Sequence, residues 1–442
     1  MRLSWHDLGK PRADKADGKS IEIVGFPLAA LPTVSADHFL MMAEPGCCQG
    51  CVPANRMAVV EVFADQPLKF GNGTLRLSGT WHVSSDPEGW RYQLHGAEVT
   101  PGVTRRAMLA ASPLFCLPVP AMAQAADGMA VDIHSHSGNL IRLSFGRGQS
   151  VPIAEPMRQG GMSAICLAVV SDAPIIKLTG GRLRPSRDPK PGELYDFTQR
   201  AFAALHTLAH EQGMPILKTA AELRGARADR PSLIVSSEGA DFLEGRIERL
   251  DEAYQRWALR HLQLTHYRPN ELGDIQTEQS VHGGLTAFGA EVIRRSNRLG
   301  IVVDVAHGTY ELVKKAASVT TKPLVLSHTS LTERPLAWTR RILPDHARVI
   351  ASTGGVIGIW PVTAFYPNVV AYAEGIAKMA GVVGVDHVGL GTDHLGLVGA
   401  SALPNYTDLP QLAAALRTRF NAEETAKLLG GNYRRVFDAS LG

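Results

Sequence analysis

The sequence has little net charge, few cysteines, and no apolar run long enough to cross a membrane. The formal charge of its 442 residues is +3. That balance, with no long run of one sign, argues against nucleic acid or an anionic membrane surface as a partner. Five cysteines, three of them packed into "CCQGC", do not form the pattern of a disulfide framework. The opening "MRLSWHDLGKPRADK" has no hydrophobic core and does not read as a signal peptide. A Gly-rich phosphate fingerprint is missing after the first strand of the longer C-terminal region, which argues against an open dinucleotide-binding sheet.

What is present is an ordinary soluble composition, 45% hydrophobic and 20% charged, in a chain long enough for two or three units. The segment "TRRAMLAASPLFCLPVPAMAQAADG" divides it. Arg105 and Arg106, an apolar stretch and small-x-small steps around Ala123 have the layout of a twin-arginine export signal, about a hundred residues too late. It is too short and proline-rich for a good spanning helix, and an apolar linker is the alternative. If the segment is used, the expected location is periplasmic; otherwise it is cytoplasmic.

Residues 1–100 carry five short β-like runs separated by Gly, Pro and Asp: "KSIEIVGFPLA", "HFLMMA", "MAVVEVFA", "TLRLSGTWHV" and "YQLHGAEV". They predict a small all-β barrel of OB type. In the same region Cys48-Gln-Gly-Cys51, with Cys47 beside it, has the spacing used for metal or redox work. Reduced cysteines in a turn are the alternative. Residues 101–127 form the linker. Residues 128–442 alternate strands with helical stretches such as "LYDFTQRAFAALHTLAHEQG". Eight candidate strands are "MAVDIHSHS", "MSAICLAVV", "PSLIVSSEG", "LRHLQLTH", "GIVVDVAH", "KPLVLSHTS", "GGVIGIW" and "HVGLGTDHLG". The expected fold class is α/β, a (β/α)8 TIM-like barrel. Cys116 and Cys166 lie in apolar settings and read as core.

Strand 1 runs into "VDIHSHSG", where alternation points His134 and His136 to one side. Strand 3 ends with Glu238, strand 4 with His266, strand 5 with His307 and strand 6 with His328; strand 8 carries Asp393. In a barrel these ends converge on one mouth. Imidazole and carboxylate at six strand ends are costly to bury without partners. They are also the ligand types of a hydrolytic zinc site.

At this point the chain resembles the membrane (renal) dipeptidases, peptidase family M19, metallopeptidases of the amidohydrolase-like barrel group. The resemblance covers roughly residues 128–442. It rests on "SEGADFLEG", "LQLTHYRPNELGD", "GGLTAFGAEVIRRSNRLGIVVDVAH", "KPLVLSHTS", "RRILPD", "GGVIGIW", "DHVGLGTDHLG" and "LLGGNYRRVF", in that order. It implies that His134 holds one metal, that His307 and His328 hold a second, and that Glu238 bridges two zinc ions, other divalent metals being possible. His136, on the face of His134 and at the position where the family has a carboxylate, is expected as a further metal ligand. It further implies that His266 polarises the substrate carbonyl, Arg341 holds the substrate carboxylate, and Asp393 faces the substrate amino group and the water proton. Each role suits the residue. A carboxylate has two oxygens to share between ions, and a guanidinium grips a carboxylate bidentately.

The resemblance therefore implies a dinuclear zinc dipeptidase acting on dipeptides, tolerant of a D-residue at the carboxyl end. Membrane association stays open, and a homodimer is one candidate assembly. The N-terminal region is similar to small bacterial OB-like domains of unknown function. Two departures stand out. The family's strand 1 pattern is His-x-Asp, whereas here it is His134-Ser-His136, and Leu395 stands where an acidic residue is expected. Two alternatives remain. One is another barrel amidohydrolase acting on a lactone or cyclic amide, disfavoured because strand 4 ends in Thr265-His266 and not a bridging lysine. The other is a metal-binding or delivery protein working through the CCxxC region.

Overall fold

The computed structural model describes residues 2–28, 35–43, 59–69, 74–84, 90–100, 129–179, 182–397 and 400–442. Cys47, Cys48, Cys51, Cys116 and the twin-arginine-like segment lie outside the described residues. The chain divides into two compact units at Asp127/Gly128. No described helix is long and apolar enough to cross a membrane.

The first unit holds β1 (Ser20–Leu28), β2 (Ser35–Met42), β3 (Val59–Lys69), β4 (Leu75–Val83) and β5 (Tyr92–Val99). They close into a five-stranded barrel in the order β1-β2-β3-β5-β4. All pairs are antiparallel except β3 with β5. Period-two alternation places Ile21, Ile23, Leu77, Trp81, Tyr92 and Leu94 in a common core. Trp81 stacks on Tyr92 and its Nε1–H donates to the Ala13 carbonyl, so the polar edge of each large ring is satisfied.

The second unit is a closed parallel barrel. Its staves are β6 (Ala130–Ser135), β7 (Met162–Val170), β10 (Ser232–Glu238), β11 (Leu259–Gln263), β12 (Val302–Asp304), β13 (Leu324–Thr329), β14 (Val356–Ile359) and β15 (Val388–Leu390). All eight sequence-predicted strands are present. Every residue of these strands is buried, as expected where helices cover a parallel sheet. The covering helices are one-sided. In Glu193–Glu211 the buried residues Leu194, Phe197, Ala201, Phe202, Leu205 and Leu208 recur at helical spacing. The sequence reading missed a hairpin, β8 (Ile176–Thr179) with β9 (Arg182–Pro185), inserted after β7. Its signal was two short extended runs around Gly180-Gly181, too short to stand out beside the barrel strands.

Buried polar groups stitch the barrel together from inside. Asp132 accepts from the backbone N–H of His134 and Thr392 and from the hydroxyls of Thr392 and Tyr406, tying β6 to β15. Asp304 accepts from His261 Nε2 at 3.1 Å and from the N–H of Ala306 and Ser327, tying β11, β12 and β13. His261 in turn meets the Tyr433 hydroxyl, which also accepts from the buried Cys166 thiol. Burial pushes that thiol up, consistent with an unreactive core cysteine.

Backbones approach closely where β15 leaves the barrel. A Cβ on Gly391 would overlap the carbonyl oxygen of Ser327. Gly391→Ala should therefore lower stability by about 1–3 kcal/mol, several degrees of melting temperature. Thermal unfolding followed by circular dichroism checks this. An unchanged melt would show that Ser327 yields without cost.

Candidate metal centre

The mouth residues reach one place by three local devices. Glu238 is the last residue of β10 and His328 lies within β13, so strand alternation aims them. His266, His307 and Asp393 each lie three residues past a strand, where the backbone turns. His307 and Asp393 have φ of 68° and 51°, the left-handed region that residues other than glycine enter at a cost. Third, β6 and the loop after β15 zip together, with Asp393 N–H donating to the His134 carbonyl and His136 N–H to the His394 carbonyl. This sets Asp393 beside both histidines. The glycine of "TDHLG" has a steric reason. A Cβ on Gly396 would overlap Asp393 and the His136 ring.

The result is a buried cluster. His134, His136, Glu238, His266, His307, His328 and Asp393 are all at most 7% exposed. The Nε2 atoms of His136 and His266 lie 3.1 and 3.4 Å from Glu238 Oε2. Those of His134, His307 and His328 lie 3.4, 3.2 and 3.5 Å from Oε1. Asp393 Oδ1 is 3.5 Å from His136 Nε2 and 3.9 Å from His134 Nε2. The ring nitrogens also pair off, His134 with His136 at 3.2 Å and His307 with His328 at 3.1 Å.

The protonation states of His134, His307 and His328 suit ligation, whereas at His136 burial opposes a charge but Glu238 and Asp393 outweigh it and raise the ring. Burial, with the positive charge of Arg340, holds His307 well below the usual imidazole range. Burial does the same for His328, and it lowers His134. Neutral imidazole is the ligand form. Burial would raise the Glu238 carboxyl, but the charges of His266 and His134 and the histidine hydrogen bonds hold it well below the carboxylate range. Burial raises Asp393 to about 7. Burial opposes a charge on His266, yet Asp172 and Glu238 outweigh it and raise the ring to about 9.

These residues fit a metal. Three sets of donors each lie within 4.8 Å of one another: His134, His136 and Asp393; His134, Glu238 and His328; Glu238, His266 and His307. Tetrahedral zinc with Zn–N of about 2.0–2.1 Å puts two ligand nitrogens about 3.3–3.4 Å apart. The two histidine pairs are close to that spacing.

Arg341 is placed differently from the rest. It is half-buried, with its guanidinium over the Phe365 ring at 4.7 Å. The arginine whose charge reaches His266, His307, His328 and Asp393 is its neighbour Arg340. Arg340 is buried, donating to Gln276 Oε1 and to the His328 carbonyl. The sequence reading also passed over Asp172, whose Oδ1 lies 2.6 Å from His266 Nδ1. Its signal was available: it stands two residues past β7, a polar residue at a strand end like those on the other staves.

A family model described as membrane dipeptidase (peptidase family M19) matches residues 154–440. Among curated proteins, Dipeptidase verJ of Clonostachys rogersoniana is 27% identical over 255 residues, 55% of this chain and 64% of that protein. Dipeptidase tcpJ of Claviceps purpurea is 28% identical over 227 residues, 48% of this chain and 52% of that protein. The chain thus spans between about half and two thirds of these relatives' length. Among solved structures, the probable dipeptidase PvdM of Pseudomonas aeruginosa superposes with a TM-score of 0.60 at 17% identity, covering 72% of this chain and 96% of that one. A metallopeptidase of Rhodobacter sphaeroides, liganded with a phosphinate mimic of the dipeptide L-Ala-D-Ala, gives 0.58 at 21% identity, covering 71% and 99%. These likenesses carry the fold, and the family match over most of the second unit carries membership. The chain belongs to the membrane dipeptidase family, peptidase family M19.

Proposed function

We propose that the chain is a dinuclear zinc dipeptidase that hydrolyses the peptide bond of dipeptides and accepts a D-residue at the carboxyl end. The observation that carries this reading is the buried Glu238 carboxylate with five imidazole nitrogens 3.1–3.5 Å from its oxygens. His134 and His136 would hold one ion, His307 and His328 the other, and Glu238 both. Metal bound there would supply Lewis acidity to the scissile carbonyl and to the attacking water. Family membership supports the dipeptide substrate. The phosphinate mimic of L-Ala-D-Ala on the Rhodobacter sphaeroides relative supports the D-residue.

The chain's own groups divide the remaining work. His266 presents Nε2 to the same cavity and donates to the carbonyl oxygen as negative charge develops there. Asp393, a carboxyl held near neutrality by burial, takes a proton from water and passes it to the leaving amine. Arg341, its planar face resting on Phe365, binds the dipeptide's carboxylate. His136 stands where the family has a carboxylate, so the first metal position carries one fewer negative ligand.

Three outcomes test this. Chelation should abolish hydrolysis of an L-Ala-D-Ala panel, and zinc should restore it. Glu238→Gln should lose roughly a thousandfold or more of kcat, because several kcal/mol of transition-state stabilisation go with the ions. Normal turnover by that variant would remove Glu238 from the centre. Arg341→Met should raise KM roughly 10- to 100-fold, the worth of a charge-assisted hydrogen bond. An unchanged KM would transfer carboxylate binding to Arg340.

A further inference from the structure

We propose that Asp172 is a positioning residue for the reaction. It fixes the His266 ring with Nδ1 as the donor, so that Nε2 is presented to Glu238 and the cavity. The consequence for catalysis rests on the dipeptidase reading above.

Asp172 is fully buried, just past the end of β7. Its two oxygens are both engaged by the same short segment. Oδ1 lies 2.6 Å from His266 Nδ1, and Oδ2 accepts the Tyr267 N–H at 3.1 Å. A carboxylate held at both oxygens cannot rotate. An ionised carboxylate is acceptor-only, so the nitrogen facing it must carry a proton and donate it. Nδ1 is thereby the anchored, donating edge of the ring, and the opposite nitrogen, Nε2, lies 3.4 Å from Glu238 Oε2.

The surroundings leave Asp172 to this task. The second buried carboxylate nearby, Asp241, has its own cation. Arg268 donates to Asp241 Oδ1 at 2.8 Å, and the Ser171 hydroxyl donates to Oδ2 at 3.2 Å. The pairing of a ring N–H with a carboxylate is the device by which proteins orient imidazoles at reactive centres. Removing such a partner costs 10- to 100-fold in metal affinity or activity. Here the partner comes from a different strand end than the histidine it orients.

Asp172→Asn separates orientation from folding. The Tyr267 N–H pins the amide oxygen, so the staple between the two loops survives. The amide NH2 then faces Nδ1, so the Nδ1–H has no acceptor there and the ring loses the bond that orients it. In zinc-loaded enzyme, kcat on L-Ala-D-Ala should fall roughly 10- to 100-fold, with KM within a few-fold and with zinc content and melting temperature unchanged. In histidine-15N-labelled protein, the low-field Nδ1–H proton of His266, assigned by its loss in His266→Gln, should vanish in Asp172→Asn. Retained kcat, or a loss matched by lost zinc or lost fold, overturns the proposal. If the wild type cleaves no dipeptide, the functional reading fails instead. The proton signal then decides alone, and its persistence in Asp172→Asn overturns the assignment of Asp172 as the acceptor of the Nδ1–H.

Discussion

The second unit depends on one burial problem, a carboxylate at Glu238 surrounded by imidazoles in a water-poor barrel mouth. An uncompensated buried charge costs several kcal/mol. A carboxylate offers about four lone-pair sites, and five ring nitrogens crowd it. Two pairs of those nitrogens also face each other at about hydrogen-bond distance. Neutral rings cannot all donate at once. Cations between the donors satisfy the carboxylate and the ring lone pairs together, and on the proposed reading zinc does so.

The fold is arranged to make that burial possible. Parallel strands bring their C-terminal ends to one rim, so residues distant in sequence meet. Below the rim, Asp132 and Asp304 accept from neighbouring N–H and hydroxyl groups and so lock β6 to β15 and β12 to its neighbours. At the rim, His307 and Asp393 adopt left-handed backbone that only a well-packed surround sustains. Rigidity at the base and strain at the rim are two halves of one arrangement. Ligands held in place before the metal arrives lose little entropy when it binds.

Much of this was legible in the sequence because buried strands and the residues ending them obey simple periodicities. "VDIHSHSG" placed His134 and His136 on one face by alternation alone, and the structure puts their Nε2 atoms 3.2 Å apart. The rest was less legible where periodicity stops. Arg340 and Arg341 are adjacent in a loop, and no repeat says which guanidinium turns inward; the structure buries Arg340 and stacks Arg341 on Phe365. Asp172 was passed over because its partner His266 lies 94 residues away, and only the barrel's closure brings them together. The hairpin of β8 and β9 escaped notice because its strands are four residues each. The cysteine cluster of residues 47–51, the one chemical signal of the first unit, stays an expectation outside the described residues.

The central claim is that the Glu238 cluster is a two-metal site. The most direct measurement is the zinc content of the purified, folded wild-type chain by inductively coupled plasma mass spectrometry, after zinc supplementation and dialysis. The account predicts two ions per barrel. One ion or fewer, in protein whose unfolding transition shows an intact barrel, would contradict it.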